Sequence, residues 1–431
     1  MNPSSDSLTL KQVLKVDGEI QLPGSKSLSN RALLLAALSP TETILQNLLR
    51  SEDTERMVDA LSQLGVSISL SPDWQECSVR GNDGLFQTPN DNRFFLGNAG
   101  TAIRPLTSVL AMMQGDFIID GDEYMRERPI THLVDALSIL GAKITYLGQE
   151  GCPPIKVQGG KIKGGKVSVR GDISSQYLTS LLLSLPLAPN DSEIEVIGEQ
   201  VSKPYLDLTL DIMKKFGVHA SHTDHQHFSV KGKQSYKSPG TYLIEGDASS
   251  ASYFFAAAAI KGGTVRVNGL GENSVQGDID FLDVIEEMGA KVNRSQHWIE
   301  VSQGKLTGID MDLNHIPDAA MTIAAMALFA EGQTRIRNIY NWRVKETDRM
   351  HAMSTELRKL GAIVETGDDY IVIDPPEKIT SCSIDTYGDH RIAMAFSLAS
   401  LSDASITINN PQCTAKTFPD YFDVFASVCS Y

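Results

Sequence analysis

Residues Met57–Ile68 read MVDALSQLGVSI, and Leu133–Ile144 read LVDALSILGAKI. In both, apolar residues recur at three- and four-residue spacing, as on one face of an amphipathic helix, and stop at a hydrophobe followed by glycine. That glycine fits the first position past a helix end, where positive φ is needed and only glycine adopts it without steric cost. A short strand-like run follows. The pattern returns as LTLDIMKKFGVHA from Leu208, FLDVIEEMGAKV from Phe281 and STELRKLGAIV from Ser354. The glycines Gly65, Gly141, Gly217, Gly289 and Gly361 stand 76, 76, 72 and 72 residues apart. Spacing this regular marks an internal repeat, and FPDYFDVFASVCS near the C-terminus fits a shortened sixth copy.

A second helix type alternates with the first and is apolar nearly all round: SNRALLLAAL, TAIRPLTSVLAMM, SSQYLTSLLLSL, SSASYFFAAAAI, AAMTIAAMALFA and HRIAMAFSLASL. A helix apolar on every side is a buried one. Strand-like runs follow these helices, among them DFIID, EIEVIG, TVRVNG and SITIN. Six units of roughly 72 residues, each with one buried helix, one amphipathic helix and several strands, therefore fill the chain. Buried helices within strand-rich units predict an α/β fold with helices inside and sheets outside. Three units per domain predict two similar domains, with a break near Ser238-Pro239-Gly240. Leu8–Gly24 precedes the first repeat and could join either half.

A chain of 431 residues is too long for one ordinary core. Its 42 % hydrophobic and 21 % charged content is that of a folded globular protein. A net charge of −15 argues against nonspecific nucleic-acid or anionic-membrane binding, so any anion must be held where Lys and Arg gather locally. Cys77, Cys152, Cys382, Cys413 and Cys429 are scattered without CxxC spacing, which predicts reduced thiols and no zinc site. Met1–Asp17 shows no signal or transit pattern. The longest apolar runs, such as Ala32–Leu38 and Tyr253–Ile260, fall far short of the ~18 residues a membrane span needs. A cytoplasmic enzyme is the expectation.

The unusual polar residues collect at two places in each unit. One is the start of the buried helix: Gly24-Ser25-Lys26-Ser27 with Asn30-Arg31, Gly97-Asn98-Ala99-Gly100-Thr101 with Arg104, Ser174-Ser175-Gln176, Asp247-Ala248-Ser249-Ser250, Pro317-Asp318, and Gly388-Asp389-His390-Arg391. The other is the start of the amphipathic helix: Arg126 and Arg128, Ser202-Lys203-Pro204-Tyr205, Asn341 to Glu346 with Arg349, and Thr414-Ala415-Lys416. Helix N-termini present free N–H groups and a positive dipole end, so Gly/Ser-rich starts with Lys or Arg suit phosphate. Each feature alone has a plainer explanation. Asp247 with Ser249 and Ser250 reads as an N-cap, an isolated Arg128, Arg349 or Arg391 as a surface ion pair, and His390 as a structural histidine. Recurrence at equivalent repeat positions points instead to one anion-binding device.

Nine motifs carry a resemblance: LPGSKSLSNRALLLAAL, LGNAGTAIRPLT, RERPITHLVDAL, VSKPYLDLTL, EGDASSASYF, IPDAAMTIA, NWRVKETDRM, YGDHRIAMAFSL and CTAKTFPDYF. From about Leu8 to Tyr421 the chain resembles the 5-enolpyruvylshikimate-3-phosphate (EPSP) synthases, most closely the bacterial, glyphosate-sensitive class. The resemblance implies two inside-out α/β domains of three repeats each that close over the substrates. Residues 1–24 would join 245–431, leaving 25–244 as the other domain, with crossovers near Pro23 and Glu245. It implies enolpyruvyl transfer from phosphoenolpyruvate to the 5-hydroxyl of shikimate 3-phosphate through a tetrahedral intermediate, with no metal or organic cofactor.

By the same resemblance, phosphoenolpyruvate would be bound by Lys26, Gly100, Arg128, Gln176, Arg349, Arg391 and Lys416, since Arg grips carboxylate and phosphate bidentately. Shikimate 3-phosphate would be bound by Lys26, Ser27, Arg31, Ser174, Ser175, Gln176, Ser202, Tyr205, Asp318, Asn341 and Lys345. Asp318 would be the base for the 5-hydroxyl, and Lys26 and Glu346 candidates for proton delivery, with His390 in the acid–base set. A carboxylate among so many cations should hold its proton weakly unless burial opposes them, which complicates an acid role for Glu346. Gly100 and Pro105 are the types of glyphosate-sensitive members, and the usual family form is a monomer. The UDP-N-acetylglucosamine enolpyruvyl transferases share fold and donor, but carry a Lys-Asn pair near the start and a loop cysteine. Here stand Lys26-Ser27 and a Met113–Arg128 loop without cysteine. A silent binding protein on the same scaffold would be expected to lack the acid–base set.

Overall fold

A computed structural model describes residues 6–87 and 91–431; residues 1–5, part of the segment assigned above to the C-terminal domain, lie outside them. The chain forms two compact units, Met1–Pro23 with Glu245–Tyr431, and Gly24–Ile244. Gly24 thus falls in the second unit. Ser238–Gly240, where the repeat pattern put the break, is only the turn before strand Thr241–Leu243. That strand pairs parallel with Glu42–Gln46, so the unit must run on to Ile244.

In the Gly24–Ile244 unit the buried helices are Lys26–Leu38, Gly100–Met112 and Ser175–Ser184. In Lys26–Leu38 every residue except Ser27 is buried, as an all-round apolar helix requires. Gly100–Met112 packs on Ser175–Ser184, and where the two meet the Ser108 and Ser184 hydroxyls bond each other at 2.6 Å. The amphipathic helices Glu52–Gln63, Thr131–Ile139 and Pro204–Lys215 bury one face each. Three four-stranded sheets share one plan. The strand before the buried helix lies parallel to the strand after it, and an antiparallel hairpin follows the amphipathic helix. Gly165–Arg170, Ser192–Ile197, His227–Val230 and Ala220–Thr223 show it in order.

The other unit repeats the plan around helices Ala248–Lys261, Ala320–Met326 and His390–Ser397, with amphipathic helices Phe281–Met288, Arg349–Lys359 and Tyr421–Ser427. Helices inside and sheets outside make both units inside-out α/β domains. Two departures tie the chain together. Strand Gly18–Gln21 precedes the first buried helix in sequence, yet pairs parallel with Thr264–Asn268 of the other unit's repeat, while Thr241–Leu243 takes its place beside Glu42–Gln46. The shortened last repeat has no hairpin of its own. Ser7–Leu10 supplies the antiparallel partner of Ile406–Asn409, and Lys15–Val16 pairs with Cys429–Ser430.

All five repeat glycines have positive φ, from +76° at Gly217 to +115° at Gly289. No helix among the described residues is long and apolar enough to cross a membrane. At Gly289 a Cβ would stand 2.3 Å from the Lys305 carbonyl oxygen, whereas at Gly240, also at positive φ, it would meet nothing within 4 Å. Gly289→Ala is therefore expected to cost more than the ~1–2 kcal/mol of a left-handed alanine, and Gly240→Ala about that amount. Urea midpoints of the two variants check this; equal losses would refute the steric component.

Candidate active site

In the Gly24–Ile244 unit the helix starts lie together. Asn30 Nδ2 donates to Thr101 Oγ1 at 2.7 Å, joining the first and second buried helices. The second and third meet around Gly100. The position of a Cβ there is 2.7 Å from Arg104 Nη1, 3.0 Å from Arg128 Nη2 and 3.1 Å from Gln176 Oε1. Arg104 donates to Gln176 Oε1 and, at 3.1 Å, to the Pro129 carbonyl, and lies over the Tyr177 ring. Arg128 is buried and donates to Asn98 Oδ1 at 2.7 Å and to the Asn98 carbonyl at 3.2 Å. These acceptors are neutral and do not cancel a guanidinium's charge, so the space left by the absent side chain at Gly100 is electropositive.

Lys26 opens the first helix and sits 3.3 Å from Asp53 Oδ2, both side chains nearly buried. Arg31, one turn on, donates to Thr209 at 3.0 Å, to the Ser27 carbonyl at 2.9 Å and to Thr179 at 3.4 Å. Burial lowers its pKa to about 10 against the opposing influence of Tyr205 and Tyr242, which leaves it charged at neutral pH. Ser174 caps the third buried helix by accepting from Gln176 N–H at 3.2 Å, with Ser175 buried beside it. Ser202, at φ +54°, and Tyr205 stand at the start of Pro204–Lys215. Arg126 does not join this group. It pairs with Asp120 at 2.8 Å on a half-exposed surface, although the sequence set it beside Arg128.

The other unit brings its own set into one ion-pair network. Arg349, 1 % exposed in its side chain, donates to Asp389 Oδ2 at 2.7 Å, Asp318 Oδ1 at 2.7 Å and Glu346 Oε2 at 2.8 Å. Asp318 is also 3.1 Å from Arg391 Nη2 and 3.7 Å from Lys345 Nζ. Desolvation alone would raise the Asp318 pKa, but Arg391, Lys345 and Arg349 outweigh it and hold the carboxyl well below the usual range. Burial lowers Lys345, with Asp318 opposing, while Arg349 is raised because Asp389, Glu346 and Asp318 overcome its desolvation. Trp342 Nε1 donates to the Pro317 carbonyl at 2.7 Å, fixing the segment that carries Asn341 against the one that carries Asp318. The Asn341 side chain is buried, and neither its oxygen nor its nitrogen has a hydrogen-bond partner among the described residues. Buried amides are rarely left so. His390 is fully buried with Nδ1 3.5 Å from Asp389 Oδ1. Lys416, also buried, ends the turn Pro411–Lys416 that packs on helix His390–Ser397.

Two carboxylates, Asp53 and Asp278, were not singled out by the sequence, and a third, Asp389, was named there only as part of a helix start. Asp53 sits in an acidic first turn, Ser51-Glu52-Asp53, and looks like any helix-dipole acid. Asp389 does cap its helix, accepting from Arg391 N–H at 2.9 Å, but it also anchors Arg349. Asp278 lies in a short turn, Gly277–Asp280, with no motif to mark it. The carboxylate–histidine cluster of Asp207, His222 and His225 is satisfied by its own donors. His222 Nδ1 accepts the His225 backbone N–H at 3.2 Å, which leaves its Nε2 protonated and facing Asp207 rather than open to a metal.

Replacing Arg349 by Met would leave Asp318, Glu346 and Asp389 without their shared cation. A loss of about 3–5 kcal/mol in folding stability is expected. Without that cation the folded-state pKa of Asp318, which Arg349 helps to hold down, moves up, so the loss should be larger at pH 7 than at pH 5. Urea unfolding at both pH values decides, and identical losses would count against the carboxylate repulsion.

A sequence model described as EPSP synthase (3-phosphoshikimate 1-carboxyvinyltransferase) matches residues 10–425. A 3-phosphoshikimate 1-carboxyvinyltransferase of Sulfurovum sp. is 57 % identical over 426 residues, 99 % of this chain and 100 % of that protein. One of Escherichia coli is 59 % identical over 423 residues, 98 % and 99 % of the two chains. The solved EPSP synthase of Acinetobacter baumannii superposes with a TM-score of 0.83 at 26 % identity, covering 98 % of each chain.

Proposed function

We infer the working of this site from one premise: the chain belongs to the EPSP synthase (3-phosphoshikimate 1-carboxyvinyltransferase) family. It is a transferase of the shikimate pathway of aromatic amino-acid biosynthesis. It moves the enolpyruvyl group of phosphoenolpyruvate to the 5-hydroxyl of shikimate 3-phosphate and releases phosphate. The residue roles that follow are proposals. The observation that carries them is Asp318, held between Arg349, Arg391 and Lys345, with the unpartnered Asn341 amide on the adjoining segment.

For phosphoenolpyruvate, a small trianion, the Gly24–Ile244 unit offers Lys26, Gly100, Arg128 and Gln176, and the other unit offers Arg349, Arg391 and Lys416. The bare face of Gly100 lets an anionic group approach both Arg104 and Arg128. For shikimate 3-phosphate, Ser27, Arg31, Ser174, Ser175, Gln176, Ser202 and Tyr205 supply hydroxyl, amide and guanidinium donors, with Lys26 beside them. Asp318, Asn341 and Lys345 do so from the other unit. Asp318 takes the proton of the 5-hydroxyl as its oxygen bonds to C2 of the donor, and C3 gains a proton. The resulting tetrahedral intermediate loses phosphate from C2 and returns a proton from C3 to the group that had supplied it, restoring the double bond. Lys26 and Glu346 supply the proton to C3 and the one that leaves with phosphate, and His390 beside Asp389 completes the acid–base set. No metal or organic cofactor enters this scheme; orientation, proton transfer and fixed charge carry it. Free thiols at all five cysteines and the lack of a membrane-spanning helix among the described residues support a cytoplasmic, reducing compartment, and the family resemblance supports a monomer.

Phosphate release from phosphoenolpyruvate should require shikimate 3-phosphate. A folded sample that releases none with both substrates present sinks the reading. Lys26→Met should abolish turnover, and because it takes a cation from the nearly buried Asp53 carboxylate it should also lower the thermal transition. Glyphosate, a phosphonate small enough for the space at Gly100, should inhibit competitively with phosphoenolpyruvate. Gly100→Ala puts a methyl carbon 2.7 Å from Arg104 Nη1 and should raise KM for phosphoenolpyruvate more than that for shikimate 3-phosphate. Rates indifferent to millimolar glyphosate, or a Gly100→Ala effect confined to shikimate 3-phosphate, would move the donor elsewhere.

A further inference from the structure

Glu356 is a fully buried carboxylate with no part in the scheme above. It lies on the helix Arg349–Lys359 about two turns beyond Arg349, so the two side chains share a face. Tyr387 Oη donates to its Oε1 at 2.8 Å, while Oε2 accepts from the Asp385 backbone N–H at 3.2 Å and lies 3.0 Å from Lys359 Nζ. The turn Thr386–Asp389 held by these bonds leads straight into the buried helix His390–Ser397. Asp389 N–H closes it on the Thr386 carbonyl at 2.8 Å, and its central residues Tyr387 and Gly388 stand at φ +53° and +67°. Turns with two such residues favour Gly, Asn and Asp, and a tyrosine there is strained. Strain of this kind persists only where the surroundings fix it. Here Glu356 holds the hydroxyl, and the His351 ring stands T-shaped against the Tyr387 ring at 6.2 Å between centroids. Burial first and the bond to Glu356 second raise the Tyr387 pKa to about 12, so its hydroxyl remains a donor.

We propose that Glu356 is a positioning residue for the transfer reaction, which places the Arg391 guanidinium for phosphoenolpyruvate by strapping the Tyr387–Gly388 turn to the helix that starts at Arg349. The proposal rests on the assignment of Arg391 to the donor made above. One helix face holds residues 385–389 at both ends. Arg349 grips Asp389 at 2.7 Å, and Glu356, two turns away, grips Tyr387 and Asp385. Arg391 follows directly, with Nη2 3.1 Å from Asp318 Oδ2. Without the Glu356 end, the strained turn is free to relax, and the start of the helix moves with it. A guanidinium that grips an anion through two parallel hydrogen bonds is sensitive to such a shift. A misplacement of ~1 Å caused far from the chemistry can cost a rate factor of ~100. Glu356 touches no substrate or reacting atom in this reading and acts through Tyr387 and the turn.

Steady-state kinetics of full-length variants, measured below their thermal transitions, test the proposal. Glu356→Ala removes the strap, and Tyr387→Phe removes one link of it. Each should raise KM for phosphoenolpyruvate several-fold and change KM for shikimate 3-phosphate little, since that substrate is assigned mainly to the Gly24–Ile244 unit. The double variant should be no worse than Glu356→Ala alone, because both changes break the same link. Glu356→Gln can keep the geometry, its amide nitrogen donating to Tyr387 Oη and its oxygen accepting from Asp385 N–H. It should recover most of the affinity for phosphoenolpyruvate. Should Glu356→Ala fail to fold, Tyr387→Phe decides, since it removes a single oxygen from a half-buried ring. An unchanged KM for phosphoenolpyruvate in Tyr387→Phe, or two KM values that rise together, overturns the proposal. Arg391→Ala separates this from failure of the underlying assignment. A normal KM for phosphoenolpyruvate there removes Arg391 from the donor site and the proposal with it. A raised KM there, beside normal values in Glu356→Ala and Tyr387→Phe, removes only the role of Glu356.

Discussion

A helix that is apolar on every side has to be covered on every side, and each unit buries three of them. Their flanks admit only small hydroxyls such as the Ser108–Ser184 pair, so charge gathers at their ends. The repeat then fixes which ends meet. Four of the six buried helices join two paired parallel strands. For Lys26–Leu38 and Ala248–Lys261 the strand that follows still has a parallel partner, supplied by the exchanged strand, so all three in a unit run the same way relative to their sheets. The contacts between helix starts follow: Asn30 with Thr101, Arg104 with Gln176, and Arg391 with Asp318. Free N–H groups and positive dipole ends are thereby concentrated at one end of each unit, which makes anion binding a consequence of the architecture.

The units use this common frame differently. In Gly24–Ile244 the guanidiniums around Gly100 are held by Asn98, Gln176 and backbone carbonyls. Neutral partners orient a cation and leave its field available to a ligand. In the other unit the cations are held by carboxylates, with Arg349 bonded to three and Asp318 within reach of three cations. Such a network binds anions less freely, but it contains groups whose protons can move. The first arrangement suits holding a charged substrate and the second suits proton transfer.

The repeat was legible because it is written in local signals. Glycine at a helix end and apolar residues around a full turn need no tertiary knowledge, and the five glycines do take positive φ. Many of the proposed site residues could be singled out for the same reason, since they stand at or just before a helix start. What escaped depends on contacts between distant segments. Nothing local to Gly18–Gln21 says that it pairs with Thr264–Asn268, or that Ser7–Leu10 completes the last sheet. Arg126 and Arg128 differ by two residues and point to different neighbours, one to a surface carboxylate and one to Asn98. Asp278 is one acid among 53 Asp and Glu residues until Ser249 is seen bonded to it.

The lowered pKa of Asp318 has a further meaning for the reaction. A carboxylate held by three cations is fully ionised at neutral pH, and for that reason a poor proton acceptor in the empty site. Arg391, Arg349 and Lys345 are also the groups that the proposed scheme gives to substrate anions. A phosphate or carboxylate arriving at any of them adds negative charge beside Asp318 and draws the cation's field toward itself. Both effects raise the affinity of Asp318 for a proton, and the rise comes only when substrates are bound. Under the proposed scheme, binding energy from the charged ends of the substrates would be turned into basicity at Asp318, which would raise turnover in addition to affinity. The network around Asp318 is weakly basic when empty because the same cations have a second partner to accept.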